Sequence, residues 1–388
     1  MNTLVTNANI FTLERKSYSG WLLTEGTQIA DFGSGKAPEY ALRRAEKMID
    51  AAGKNLLPGF IDIHTHGRIG HCTMDADVET QLEIARLNAR HGVTTYLPTT
   101  MTDNTENTVK AIKAINEIVG KRGDFSKIPG IHLEGPFLNA AKCGAQDTAN
   151  IRPATPDECK LFMDSGVIKR IAIAPEIEGN KECAALFAEK GISIAAGHTA
   201  AGLDDLKDAL NYGFSGITHL FNGMGAFSHR DPGTIGSALV IPEYTCELIC
   251  DNVHSHPAAH RIAWQAKGRF GIALITDSIR PSGLPDGTYT HEGTKSTFIV
   301  SQNGTNLRIP SGALAGSALT MECAIRNFTQ NVGASLDETW VCSSYNAARA
   351  IGIDRETGSI EKGKLADLVL LDTDYNVALT MIEGQIIA

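Results

Sequence analysis

The sequence predicts an α/β protein: a (β/α)8 TIM-type barrel with a small β-sandwich domain formed from both chain termini. Two observations predict it. Between residues 58 and 355, eight short apolar runs alternate with helix-length amphipathic stretches. Both chain ends instead alternate apolar and polar residues in short segments broken by Gly and Asn. A doubly wound open sheet is the alternative architecture, but no GxGxxG loop follows the first barrel run to support it.

The elements follow in order. LVTNANIFT, GWLLTEGTQIADFG and KMIDAAGKNLLPG read as strands and turns of the small domain. The barrel runs are GFIDIHTH, VTTYLPT, PGIHLEG, RIAIAPE, ISIAAGH, GITHLF, ELICDN and IALITDS. Helical stretches such as VETQLEIARLNARHG, NTVKAIKAINEIVGK, KECAALFAEKG and LDDLKDALNYG separate several of them. Residues 280–302, rich in Pro, Gly, Ser and Thr, read as a loop excursion after the eighth strand. GSIEKGKLADLVLLDTDYNVALTMIEGQIIA returns to the strand-and-turn character. The division is therefore residues 1–57 plus 356–388 for the β domain and 58–355 for the barrel.

Composition excludes several function classes. The chain has 388 residues, 43% hydrophobic and 20% charged, so it buries a large core and is neither disordered nor a coiled coil. A net charge of −9 offers no general attraction for nucleic acid or an anionic membrane. An anionic substrate then needs a local cluster of cationic residues. There is no run of 18 apolar residues to span a membrane and no basic-then-apolar leader. Eight cysteines without a CxxC pair read as free thiols of a reducing cytoplasm.

The polar residues at the ends of the runs carry the chemistry. The first run ends in His64 and His66, the third in His132 and Glu134, and the fifth in His198. The sixth carries His219, the seventh ends near Asp251 and His254, and the eighth ends in Asp277. In a barrel these strand ends share one mouth, where active sites lie. Residues two apart on a strand face the same way, so His64 and His66 can address one ion. Glu134, His198 and His219 make a three-ligand site with an open position. His64 and His66, with Glu134 as bridge and Asp277 nearby, make a second. The cofactor is thus one or two divalent ions, Zn first, with Fe, Co, Ni or Mn also suited to these ligands. A carboxylated lysine bridge at the fourth strand end is absent, since Lys169 stands at that strand's start.

Several segments carry a resemblance: PGFIDIHTHG, HLEGPFLN, AGHTAA, THLFNGM, RDPG, ICDNVHSHP, LITDSIRPSG, LAGSALTM and NAARAIGI, followed by GSIEKGKLADLVLLD. The chain resembles the N-acetylglucosamine-6-phosphate deacetylases of the amidohydrolase superfamily, in their HxH-containing, two-metal form. The match runs from the first barrel strand to the C-terminal β segment. HLEGPF is its more specific part, and GKLADLVLLD is shared by many amidohydrolases.

The resemblance implies roles. Glu134, His198 and His219, with His64 and His66, are metal ligands. Asp277 is the general base, then acid, in metal-hydroxide attack on the acetamide. Ala145, Gln146, Asn222, Gly223, Arg230, His254, Leu314, Ala315 and Gly316 contact the phosphosugar, with Arg230 and His254 on its phosphate. The phosphate-contacting arginine reaching across subunits implies a homodimer. The chain departs from the family pattern at Gln146, where some members have His, and at Gly223, where Ala is usual. GRIGH follows the HxH where many members have a run of glycines. Arg68 in that segment adds a cation expected near the mouth. The galactosamine-6-phosphate isomer and other amidohydrolase amides remain alternative substrates, as does a non-catalytic binding role on the same fold. His91 and His291 read as surface residues.

Overall fold

A computed structural model describes residues 1–14, 16–291 and 296–387. Eight parallel strands follow one another in chain order around a barrel. They are β1 (Phe60–Thr65), β2 (Val93–Thr100), β3 (Ile131–Glu134), β4 (Ile168–Ile173), β5 (Ser193–Ala196), β6 (Phe214–Ile217), β7 (Thr245–Ile249) and β8 (Ile272–Ile275). Each is followed by a helix, from Val78–Arg90 after β1 to Met321–Val332 after β8. The first of these helices is capped by Asp77, the second by Asn104 and the third by Thr155, whose side chains accept from Thr80, Asn107 and Glu158 backbone N–H groups.

The strands are buried on both faces and so read as near-continuous apolar runs. The exceptions lie inside the barrel: Asp62, Arg170 and Glu247 are charged residues with no more than 1% exposure. Closure between β8 and β1 falls just past the strand end. Asp277 N–H donates to the His64 carbonyl at 2.8 Å, and His66 N–H to the Ser278 carbonyl at 2.8 Å. Within the seam, Asp62 accepts from the Thr276 hydroxyl at 2.5 Å. Ring closure and the placement of His64, His66 and Asp277 are thus one set of contacts.

The chain ends meet in a second sheet of eight strands. In hydrogen-bonded order these are Gln385–Ile386, Val377–Ile382, Leu368–Leu371, Asn55–Pro58, Thr3–Ile10, Tyr18–Glu25 and Gln28–Ser34, with Lys47–Asp50 beside Thr3–Ile10. The sheet curls until its last strand meets the segment before Leu368: Ile29 N–H donates to the Lys364 carbonyl and Ala366 N–H to the Thr27 carbonyl, both at 2.8 Å. Val5, Leu22, Leu56, Leu368 and Met381, drawn from strands across the sheet, therefore share one core.

Residues 280–302 differ from the expected loop. Gly287–His291, Ser296–Ser301 and Asn306–Arg308 form a three-stranded antiparallel sheet. Tyr289, Phe298, Val300 and Leu307 supply the β-forming residues that its Gly and Pro neighbours obscure in the sequence. The side chain of His291 lies outside the described residues. His91 is only half-exposed and pairs with Glu322 at 2.7 Å.

Asp367 joins barrel and terminal sheet. It is 2% exposed, pairs with Lys127 from the segment before β3, accepts from the Thr357 hydroxyl at 2.6 Å and accepts from Glu383 N–H at 2.9 Å. Asp367→Ala leaves a mostly buried ammonium and two further donors unpaired. It is expected to cost about 3 kcal/mol in urea unfolding; a loss below about 1 kcal/mol would contradict this linking role.

Candidate active site

Glu134, the last residue of β3, is 2% exposed and sits at the centre of the barrel mouth. Its Oε1 lies 2.9 Å from His219 Nε2, 3.2 Å from His198 Nε2 and 3.4 Å from His64 Nε2. Its Oε2 lies 3.2 Å from His66 Nε2 and accepts from the Gln146 amide at 2.6 Å. Asp277 Oδ1 stands 3.3 Å from His66 Nε2 and 3.6 Å from His64 Nε2.

The strand ends bend to achieve this. His198 (φ 45°), His219 (φ 31°) and Asp277 (φ 48°) all adopt left-handed backbone, which non-glycine residues rarely do. Three such residues in one cluster mark a place where geometry outweighs backbone comfort.

The other ring nitrogen of each histidine fixes its tautomer. Nδ1 donates to the Thr99 carbonyl in His66 (3.1 Å), the Lys142 carbonyl in His198 (2.8 Å) and the Asn222 carbonyl in His219 (3.1 Å). His64 Nδ1 donates to Glu247 Oε2 at 2.9 Å. A carbonyl cannot donate, so the Nε2 atoms turn toward one another and toward Glu134. His198 and His219 Nε2 are 3.1 Å apart, and those of His64 and His66 are 3.3 Å apart. Two ligands at about 2.0–2.1 Å on a tetrahedral ion stand about 3.3 Å apart. Two ligand groups result, His64–His66–Glu134 and Glu134–His198–His219, all buried. The donor set fits divalent cations, with Glu134 common to both groups.

Without a cation the cluster balances itself with protons. Burial pushes the His66 imidazole down, but Asp277 and Glu134 outweigh it and raise it to about 9. His64 is likewise raised well above its ordinary value against burial, chiefly by Glu134 and Asp277. Burial pushes Glu134 and Asp277 up, yet the surrounding imidazoles hold both below the usual carboxylate range.

The cavity above the cluster is lined by most of the residues expected there. His66, Glu134, Ala145, Gln146, His198, His219, Asn222, Gly223, His254, Asp277, Leu314, Ala315 and Gly316 face it. His64 lies directly beneath, fully buried. Gly223 has φ 58°, and a Cβ there would lie 2.9 Å from His198 Nδ1, so glycine leaves that ring its room. His254, in the loop after β7, is fixed by Asp251 at 2.7 Å, which raises it above its ordinary value against burial and favours its cationic form.

Arg230, expected to act across subunits, is exposed on the segment between β6 and its helix and does not line the cavity of its own chain. One expectation differs. Arg68 is not at the mouth. It is 4% exposed and donates to the Leu319 carbonyl at 2.9 Å, because the hairpin of Gly67–Arg68 with His71–Cys72 folds its side chain inward.

Sequence reasoning missed Met101, Ile279, Phe298 and Ala313, which also line the cavity, and the Arg170–Glu247 pair beneath it. Phe298 sits in the three-stranded excursion sheet. The pair did have a signal: charged residues inside mostly apolar strands, in IKRIAI and TCELI.

The amidohydrolase family profile matches residues 55–387. The chain belongs to the amidohydrolase family. It is 38% identical over 338 residues to an N-acetylglucosamine-6-phosphate deacetylase of Bacillus subtilis (strain 168), covering 85% of this chain and 84% of that protein. It is 34% identical over 334 residues to an N-acetylgalactosamine-6-phosphate deacetylase of Escherichia coli O157:H7, covering 85% and 87%. The crystal structure of the N-acetylglucosamine-6-phosphate deacetylase from Pasteurella multocida superposes with a TM-score of 0.91 at 31% identity, covering 100% of this chain and 99% of that one.

Glu134 is the atom bridge of the cluster, so Glu134→Gln tests it. Divalent-ion content after desalting is expected to fall at least about 10-fold, by analogy with the loss of ligand-supporting groups; wild-type content would contradict the geometry.

Proposed function

We propose that the chain hydrolyses the acetamide of N-acetylglucosamine-6-phosphate, giving glucosamine-6-phosphate and acetate. The observation that carries this reading is the buried carboxylate–imidazole cluster with Asp277 and a histidine fixed by Asp251 on one cavity. Full-length relatives named for this reaction support it, the B. subtilis enzyme at 38% identity against 34% for the galactosamine-phosphate enzyme.

Glu134, His198 and His219 would hold one cation, and His64 and His66 with Glu134 a second; zinc suits both donor sets. A cation so held supplies Lewis acidity, polarising a carbonyl oxygen and acidifying water. Asp277 is ionised, held low by His64 and His66 against its burial, so it can accept a proton. Its carboxylate takes one from the attacking water as the new C–O bond forms, then delivers it to the amine nitrogen as the C–N bond breaks. Gln146 holds Glu134 Oε2 while its own oxygen accepts from Thr102 N–H at 2.8 Å, so the carboxylate cannot swing away. Leu314, Ala315, Phe298 and Ile279 form the apolar wall that shields the reacting centre.

In the acidic chain, His254 supplies local positive charge for a phosphate. Arg230, exposed and outside its own cavity, supplies the second cation to the cavity of a neighbouring copy, making the enzyme a homodimer. All eight cysteines are free, which supports a reducing, cytoplasmic setting. Among the described residues no helix is long and apolar enough to cross a membrane.

The test is acetate release by metal-reconstituted protein from N-acetylglucosamine-6-phosphate, its galactosamine isomer and unphosphorylated N-acetylglucosamine. Fastest turnover is expected on the first, with Asp277→Asn lowering kcat by about 10²–10⁴-fold and Arg230→Ala raising KM for the phosphorylated sugar alone. Near-normal kcat in Asp277→Asn would overturn its role, and equal KM effects on both sugars would overturn phosphate contact by Arg230.

A further inference from the structure

Beneath the histidine cluster, inside the barrel, Glu247 of β7 and Arg170 of β4 form an ion pair with no more than 1% exposure. Arg170 Nε donates to Glu247 Oε1 at 2.7 Å, and Arg170 Nη1 donates to the Ser193 hydroxyl at 2.6 Å. Glu247 Oε2 accepts two bonds. One comes from His64 Nδ1 at 2.9 Å and one from the backbone N–H of His219 at 3.3 Å. A single carboxylate oxygen thus grips one histidine from each of the two ligand groups. His132 packs edge-on against the His64 ring at 4.7 Å, with its own Nδ1 tied to the Ile63 carbonyl, and so walls one side of that ring.

We propose that Glu247, oriented by Arg170, is the positioning residue that turns His64 Nε2 toward the cation site and fixes the His219 backbone beside it. The inference rests on the metal-centre reading above. An ionised carboxylate only accepts, so His64 Nδ1 keeps a proton and Nε2 is the nitrogen left to a cation. Rotation of the Glu247 carboxylate is blocked because Oε1 is committed to Arg170. Glu247 with His64 and His132 also satisfies the spacing of a ligand group. Arg170 argues against an ion there, since its guanidinium already neutralises the carboxylate.

The pair makes a specific prediction about substitution. In Glu247→Gln, Arg170 Nε–H still demands an acceptor and takes the amide oxygen. The amide NH2 then faces His64 Nδ1, a donor meeting a donor. The ring is relieved only by shifting its proton to Nε2, which closes the lone pair to a cation. The double variant Arg170→Met/Glu247→Gln frees the amide to turn its oxygen to His64, so the second change should partly undo the first.

The experiment measures Zn2+ affinity by competition with a chromophoric chelator, alongside thermal unfolding of the metal-free proteins. Glu247→Gln is expected to bind its weakest ion about 10–100-fold less tightly than wild type, and the double variant is expected to recover most of that loss. Unchanged affinity in the single variant, or equal weakness in single and double, overturns the proposal. A purely structural pair would lower the unfolding temperature and leave Zn2+ affinity alone. If the single variant does not fold, Arg170→Met/Glu247→Leu replaces it. That variant lacks both charges and the acceptor, and should bind at least about 10-fold more weakly than the Met/Gln protein; equal affinity again overturns the proposal. A wild-type protein that binds no Zn2+ would instead overturn the metal-centre reading itself.

Discussion

Four imidazole nitrogens gather around one carboxylate as two ligand groups that share it, and most of the barrel mouth is arranged around that convergence. Each ring commits its Nδ1–H to an acceptor behind it: a backbone carbonyl for His66, His198 and His219, and Glu247 for His64. The lone pairs left over repel one another unless a positive charge sits among them. Protons or metal ions are the available choices, and the burial of all these groups makes the uncompensated state expensive. The left-handed backbone at His198, His219 and Asp277 is the local cost of bringing strand ends to one point.

Support comes from two directions. From below, Arg170 and Glu247 replace the aliphatic filling usual in a barrel interior with a charge-balanced pair that holds the His64 ring and the His219 backbone. From above, the excursion sheet and the 313–316 segment close the cavity. Ser317 N–H donates to the Asp277 carbonyl at 2.7 Å, so the apolar wall and the proton-transfer residue are positioned by the same backbone contact. Ring closure of the barrel passes through His64 and Asp277 as well. Fold and site are therefore not separable here, and substitutions at the seam are expected to register in both.

The sequence made the barrel and its metal-binding mouth readable because strand ends carry their chemistry in short, spaced words: HTH, HLE, AGH, THL and TDS. Each polar residue stands one or two positions from a run of apolar ones, where the period of a strand fixes which way it points. What was not readable depended on tertiary geometry. Arg170 and Glu247 lie in the middle of strands and become partners only because β4 and β7 face each other across the barrel. Arg68 looked like a mouth residue until the hairpin turned it inward. Phe298 lay in a segment whose Gly and Pro content masks three short strands. Arg230, expected to contact the phosphate, lies outside the cavity of its own chain.

The most direct test of the central claim is a calorimetric titration of metal-free protein with Zn2+ at neutral pH, repeated in buffers of different ionisation enthalpy. In the metal-free state His64 and His66 are raised, the latter to about 9, so they carry protons that a cation must displace. Tight binding with net proton release is expected, with a higher unfolding temperature for the loaded protein. Absence of binding, or binding without proton release, would contradict it.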